Sequence, residues 1–165
     1  MFAALRFGFS GRAAIVFFSA CVLLTVALID HDTQEIPDGL CIALAVLGIA
    51  SIFGIPGVRL LDRAIGVFAV SVPMLLVNLL VPTSFGFGDV KLTAAAGLLL
   101  GWRALLVGMF VALLLGGGYG AYVLLRKKLG RRDHFAFGPA LAAGMTVALF
   151  YGDAAALWYR SLLSL

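Results

Sequence analysis

AAIVFFSACVLLTVALIDHDTQEIPDGLCIALAVLGIASIFGI, residues 13–55, decides the class of this protein. Two apolar runs, 13–29 and 39–55, flank a short polar hinge. The hinge holds Asp30, Asp32, Glu35 and Asp38, and no lysine or arginine lies among them. A bilayer crossing takes about 20 predominantly apolar residues, so each run reads as a membrane helix and the hinge as the turn between two crossings. Working outward, further runs occupy 64–81, 89–102, 104–125 and 135–151. Pro73 interrupts the first of these, which a membrane helix tolerates. The expected fold is an all-α polytopic membrane protein of about six transmembrane helices in a bundle, forming one membrane domain over residues 1–165. The boundary between the fourth and fifth spans, around Trp102 and Arg103, is the least marked.

Composition agrees. Of 165 residues, 63% are hydrophobic and 12% charged, and mean hydropathy is +1.12. Soluble domains carry about 25% charge, so a cytosolic enzyme is excluded. Arg6 and Arg12 precede the first run. That run exceeds the apolar core of a signal peptide and ends in acids, so it is expected to be a retained span. Net charge is +4, but Arg126, Lys127, Lys128, Arg131 and Arg132 sit together directly after an apolar stretch. That placement suits anionic headgroups or an orientation signal, and no nucleic-acid motif accompanies it. The expected partners therefore include membrane lipid and no nucleic acid. Cys21 and Cys41 lie in apolar runs and form no CxxC pair, so they read as buried apolar cysteines rather than a disulfide or zinc site.

Span counting puts the hinge 30–38, the segment 82–89 and the basic run 126–132 on one membrane face. That face carries Lys91 and the basic run; the other carries Arg6, Arg12, Arg59, Arg63, Arg103 and Arg160. The numbers balance, and only the density of the 126–132 cluster points to the cytoplasm. Gly97 with Gly101, Gly116 with Gly120, and Ala140 with Gly144 stand at helix-packing spacing. The run from Gly116 to Gly120 lacks the Lys-Ser/Thr of a phosphate loop and reads as packing. Trp102 and Trp158 fall near span ends, where interfacial aromatics belong.

Chemistry concentrates in two places. One is the hinge; the other is Gly86-Phe87-Gly88-Asp89, which opens an apolar run. Ionisable residues at membrane depth are costly and usually functional. One acid from each place can meet at the same face. Two adjacent carboxyls share a proton, so one serves as general base on a water while the other protonates a leaving amide. Gly86 and Gly88 permit positive φ or close approach of another chain, so this loop could hold an extended peptide beside Asp89. At a helix end Asp30 and Asp32 point about 200° apart, so only one of them faces Asp89.

These stretches resemble those of a known family. IDHDTQEIPD is similar to the first catalytic motif of the type IV prepilin peptidases, an aspartate followed seven residues on by proline and then Asn or Asp. FGFGDVKL resembles their second motif, GxGD followed by a lysine and an apolar helix, and FAFGPALAAG resembles an FGP segment opening their last span. The resemblance implies a GxGD-type aspartic endopeptidase that cuts the basic leader from a prepilin or pseudopilin precursor after a glycine. It implies catalysis by Asp30 and Asp89 at the cytoplasmic edge of the bacterial inner membrane, in pilus biogenesis or protein secretion, with no metal or other cofactor. Gly86, Gly88, Lys91, Pro37 and Asp38 are the supporting motif positions. Asp38 is expected to cap the second span; Lys91 is expected either to neutralise the pair or to snorkel to headgroups. Asp32 and Glu35 are solvated loop acids or attract a basic leader. His31 and His134 read as incidental, since one His with two short-spaced acids makes a poor metal cage.

Longer members carry a domain with paired CxxC motifs between their first two spans and also methylate the new N-terminus. The corresponding segment is missing here, so the chain resembles the short peptidase-only class of Flp or tight-adherence pilus systems. Two other readings compete: a small proton- or cation-coupled carrier using Asp30 and Asp89, and a non-catalytic assembly factor with idle motifs.

Overall fold

The computed structural model describes residues 11–55, 57–81, 86–126 and 137–163, and every regular element among them is helical. Seven helical segments follow in order: α1 (Gly11–Thr33), α2 (Asp38–Gly54), α3 (Leu60–Ala69), α4 (Ser71–Leu80), α5 (Phe87–Leu100), α6 (Trp102–Arg126) and α7 (Gly138–Leu163). Among the described residues, three stretches are long and apolar enough to cross a membrane by themselves, Gly11–Thr33, Leu60–Leu80 and Trp102–Gly120; Asp38–Gly54 and Gly138–Gly152 are shorter apolar helices. Large apolar side chains such as Phe17, Phe18, Leu24, Phe53, Leu79 and Phe110 stand exposed around the outside. Such a surface is suited to lipid and not to water. The protein is an all-α membrane bundle.

The expected span 64–81 is two helices. The break falls at Val70 (φ −113°, ψ −40°). Pro73 explains it: it lacks an N–H and its ring crowds the carbonyl four residues back, that of Ala69, where α3 ends. The Ser71 hydroxyl donates back to the Val67 carbonyl, an i−4 bond of the kind that bends helices.

The expected span 89–102 differs most from a lipid-facing crossing. At 14 residues α5 is about 21 Å long, short of a bilayer core. It is the buried centre of the bundle, with Leu92, Thr93, Ala96 and Leu99 almost fully enclosed. It touches α2, α3, α4, α6 and α7. Small residues make this possible. A Cβ on Gly97 would collide with the Gly66 carbonyl of α3, so the two backbones cross in contact. Gly97 and Gly101 thus share a close-packed face as expected, with Gly66 as its partner, since a Cβ on Gly66 would lie 2.5 Å from the Gly97 carbonyl oxygen and 3.0 Å from the Gly101 carbonyl carbon. Gly101 also takes φ +76° and turns the chain from α5 into α6, a conformation glycine adopts without strain.

Other small residues also permit close helix contact, as expected. Gly144 packs on Gly108 and Ala112, joining α6 to α7. Gly116 faces Phe137 and Ala140, while a Cβ on Gly120 would meet no atom of the described residues. Trp102, expected as an interfacial aromatic, donates its Nε1–H to Asp62 Oδ1 at 2.8 Å. Cys41 is buried as expected, but Cys21 is exposed on the outer face of α1.

Arg63 is the largest departure. Expected on a membrane face, it is 0% exposed. Its guanidinium donates to the Leu98 and Leu99 carbonyls at 2.9 Å each, to the Ser51 carbonyl at 3.1 Å and the Ile55 carbonyl at 3.4 Å, and to the Ser51 hydroxyl. Those carbonyls lie at the C-terminal ends of α2 and α5, which carry partial negative charge; that of Ser51 also accepts the Ile55 N–H at 2.9 Å. One cation therefore ties together the C-terminal ends of two helices.

Candidate active site

With α2 and α5 held at their C-termini, their N-termini come together at the opposite end of the bundle. There the end of α1 and the starts of α2, α5 and α7 converge. α1 terminates where Gln34 adopts φ 56° and its N–H bonds back to the Asp30 carbonyl at 3.0 Å. This left-handed cap places Asp30 in the last helical turn. α5 opens at Gly86, in extended conformation (φ −66°, ψ 142°), so Asp89 lies in its first turn.

Asp30 is 5% exposed and Asp89 7%; among the described residues they are the two buried acids. Gly88, the residue before Asp89, packs against Ile36 of the hinge that follows Asp30, so the two acids stand at the same end of the bundle. Asp30 Oδ2 accepts the backbone N–H of Gly138, the first residue of α7, at 3.0 Å. The Asp89 carboxyl turns back towards Gly86, where an added Cβ would lie 3.5 Å from Oδ2. Two enclosed carboxyls at one end of a bundle can share one proton between them.

The other hinge acids point away. Asp32 and His31 lie side by side, Nδ1 to Oδ1 3.3 Å, with side chains 80% and 79% exposed. Glu35 is exposed as well. The helical period separates Asp30 from Asp32 as expected, one inward and one outward.

Several supporting positions take other roles than expected. Pro37, not Asp38, is the N-cap residue of α2, and no side-chain cap bond forms there. Asp38 instead receives Lys91 Nζ on both carboxylate oxygens, at 2.7 and 2.9 Å. Lys91 therefore neutralises neither buried acid. Neither Gly86 nor Gly88 has positive φ. A Cβ on Gly88 would sit 2.8 Å from the Ile36 Cβ, so the close approach the glycine permits is made by the hinge of this chain itself.

Gly138 was visible in the sequence only as part of the FGP segment. Its role is steric as well as polar: an added Cβ would lie 2.5 Å from both Cγ and Oδ2 of Asp30. Among the described residues, no group of three or more His, Cys, Asp or Glu could hold a metal ion. Lys127, Lys128, Arg131, Arg132, His134 and Phe135 lie outside the described residues.

Residues 17–121 match the type IV leader peptidase family. The chain belongs to that family. The prepilin leader peptidase/N-methyltransferase of Bacillus subtilis is 33% identical over 163 residues, 95% of this chain and 63% of its own length. That of Burkholderia pseudomallei is 34% identical over 159 residues, 88% of this chain and 49% of its own length. That of Legionella pneumophila is 29% identical over 164 residues, 96% and 57% respectively. The chain thus spans 49–63% of the length of these relatives. No solved structure matches it.

Proposed function

We propose that this protein is an aspartic endopeptidase that removes the leader peptide from type IV prepilin-like precursors, with Asp30 and Asp89 as its catalytic pair. The observation that carries this reading is the convergence of those two buried acids at one end of the bundle. Family membership supports it. One carboxylate takes a proton from water as its oxygen adds to the scissile carbonyl carbon. The other, as the acid, protonates the departing amide nitrogen when the C–N bond breaks. The products are a leader with a new carboxyl terminus and a pilin with a new amino terminus. The position of the pair suits the substrate: at a membrane edge water is available, while the apolar helix after the cut stays in lipid.

The site faces the cytoplasm at the bacterial inner membrane, consistent with the dense basic run after Leu125. Exposed Asp32 and Glu35 stand beside the site and attract the basic leader. The reading is confined to the peptidase step. The test is incubation of the purified protein in detergent with a precursor of short basic leader, glycine at the cut and an apolar helix after it. Mass spectrometry should find a new N-terminus directly after the glycine. An intact precursor, with proton-coupled uptake in vesicles, would favour a carrier instead.

A further inference from the structure

Asp30 sits at the wrong end of its own helix for a carboxylate. It lies in the last turn of α1, where the free carbonyls disfavour negative charge. α7 supplies the compensation. Phe137 accepts the first bond of that helix, from Leu141 N–H at 3.0 Å, so the Gly138 N–H has no intrahelical partner and is free to donate outward. Pro139, next along, has no N–H to offer. The one bond from Gly138 to Asp30 Oδ2, 3.0 Å long, therefore brings the positive end of α7 onto this carboxyl.

We propose that Gly138 is a positioning residue of the site: its N–H fixes the Asp30 carboxyl, and its missing side chain leaves the space the carboxyl occupies. An oxygen that accepts this bond is a poor place for a proton, so Oδ2 is committed and Oδ1 is left for the water and for Asp89. A side chain at position 138 displaces the carboxyl, because an added Cβ meets Cγ and Oδ2 at 2.5 Å and Cβ at 3.0 Å. The inference rests on the peptidase reading for its kinetic consequence, but not for the contact itself.

The test uses the full chain with Gly138→Ala, alone and combined with Asp30→Ala, and Gly144→Ala as a packing control on the same helix. Gly138→Ala should lower kcat by about 100-fold, the effect of misplacing a catalytic group by about 1 Å, with KM for the precursor within about twofold of wild type. Gly144→Ala, crowded against Gly108 and Ala112, should lower the melting temperature yet keep kcat per folded molecule within about twofold. Thermal melting reads the contact without any cleavage: Asp30→Ala should restore part of the stability lost in Gly138→Ala, even where the single variant folds poorly. A Gly138→Ala enzyme with near wild-type kcat, or a double variant no more stable than Gly138→Ala, overturns the proposal. A wild type that cuts no precursor contradicts the peptidase reading and leaves the melting comparison to decide the contact.

Discussion

Lys91 Nζ lies 2.7 and 2.9 Å from the two carboxylate oxygens of Asp38, so the second turn of α5 is joined to the first residue of α2. The side chains are 53% and 65% exposed, and exposed pairs contribute about 0–1 kcal/mol. Lys91→Met should therefore cost less than about 1 kcal/mol of stability and reduce cleavage by less than about tenfold, well short of a lost catalytic group. Activity and thermal unfolding of Lys91→Met and Asp38→Asn check this. Loss of all cleavage in Lys91→Met would mean that the ammonium acts on the buried pair.

Asp32 and Glu35 are exposed at the edge of the site. If they draw in a basic leader, Asp32→Asn with Glu35→Gln should raise KM by about two- to tenfold and leave kcat unchanged, since such steering acts before chemistry. The effect should shrink as ionic strength rises, because exposed charges are screened beyond about 10 Å at 0.1 M salt. Steady-state kinetics at low and high salt give the answer.

Arg63 is fully enclosed and bonded to the last carbonyls of two helices. Arg63→Met takes the donor from the buried Leu98 and Leu99 carbonyls and should cost about 3 kcal/mol or more. Arg63→Lys should recover less than half of that, because an ammonium has three donors and no planar fork. Unfolding of both variants in detergent is the measurement; Arg63→Met as stable as wild type would show that the two helix ends need no cation.

The apolar helices and the inward-facing hinge acid were legible because both follow from local periodicity: long apolar runs, and about 200° between Asp30 and Asp32 on a helix. What was not legible depends on partners distant in sequence. A charge at a span edge normally reaches out to headgroups, and nothing near Arg63 signals that the ends of α2 and α5 will close over it. Gly97 and Gly101 have packing spacing, but spacing identifies a face and not its partner, which proved to be Gly66. Asp38 looked like a cap because Asp at a helix start usually is one; a lysine 53 positions away took its carboxylate instead.

The most direct measurement is cleavage of a prepilin-type precursor by wild type, Asp30→Asn, Asp89→Asn and Asp32→Asn, each verified as folded. The account predicts a cut by wild type and Asp32→Asn, and losses of about 1000-fold or more in both Asp30→Asn and Asp89→Asn, as expected when one member of a cooperating catalytic pair is removed. Substantial cleavage by Asp30→Asn or Asp89→Asn would contradict it.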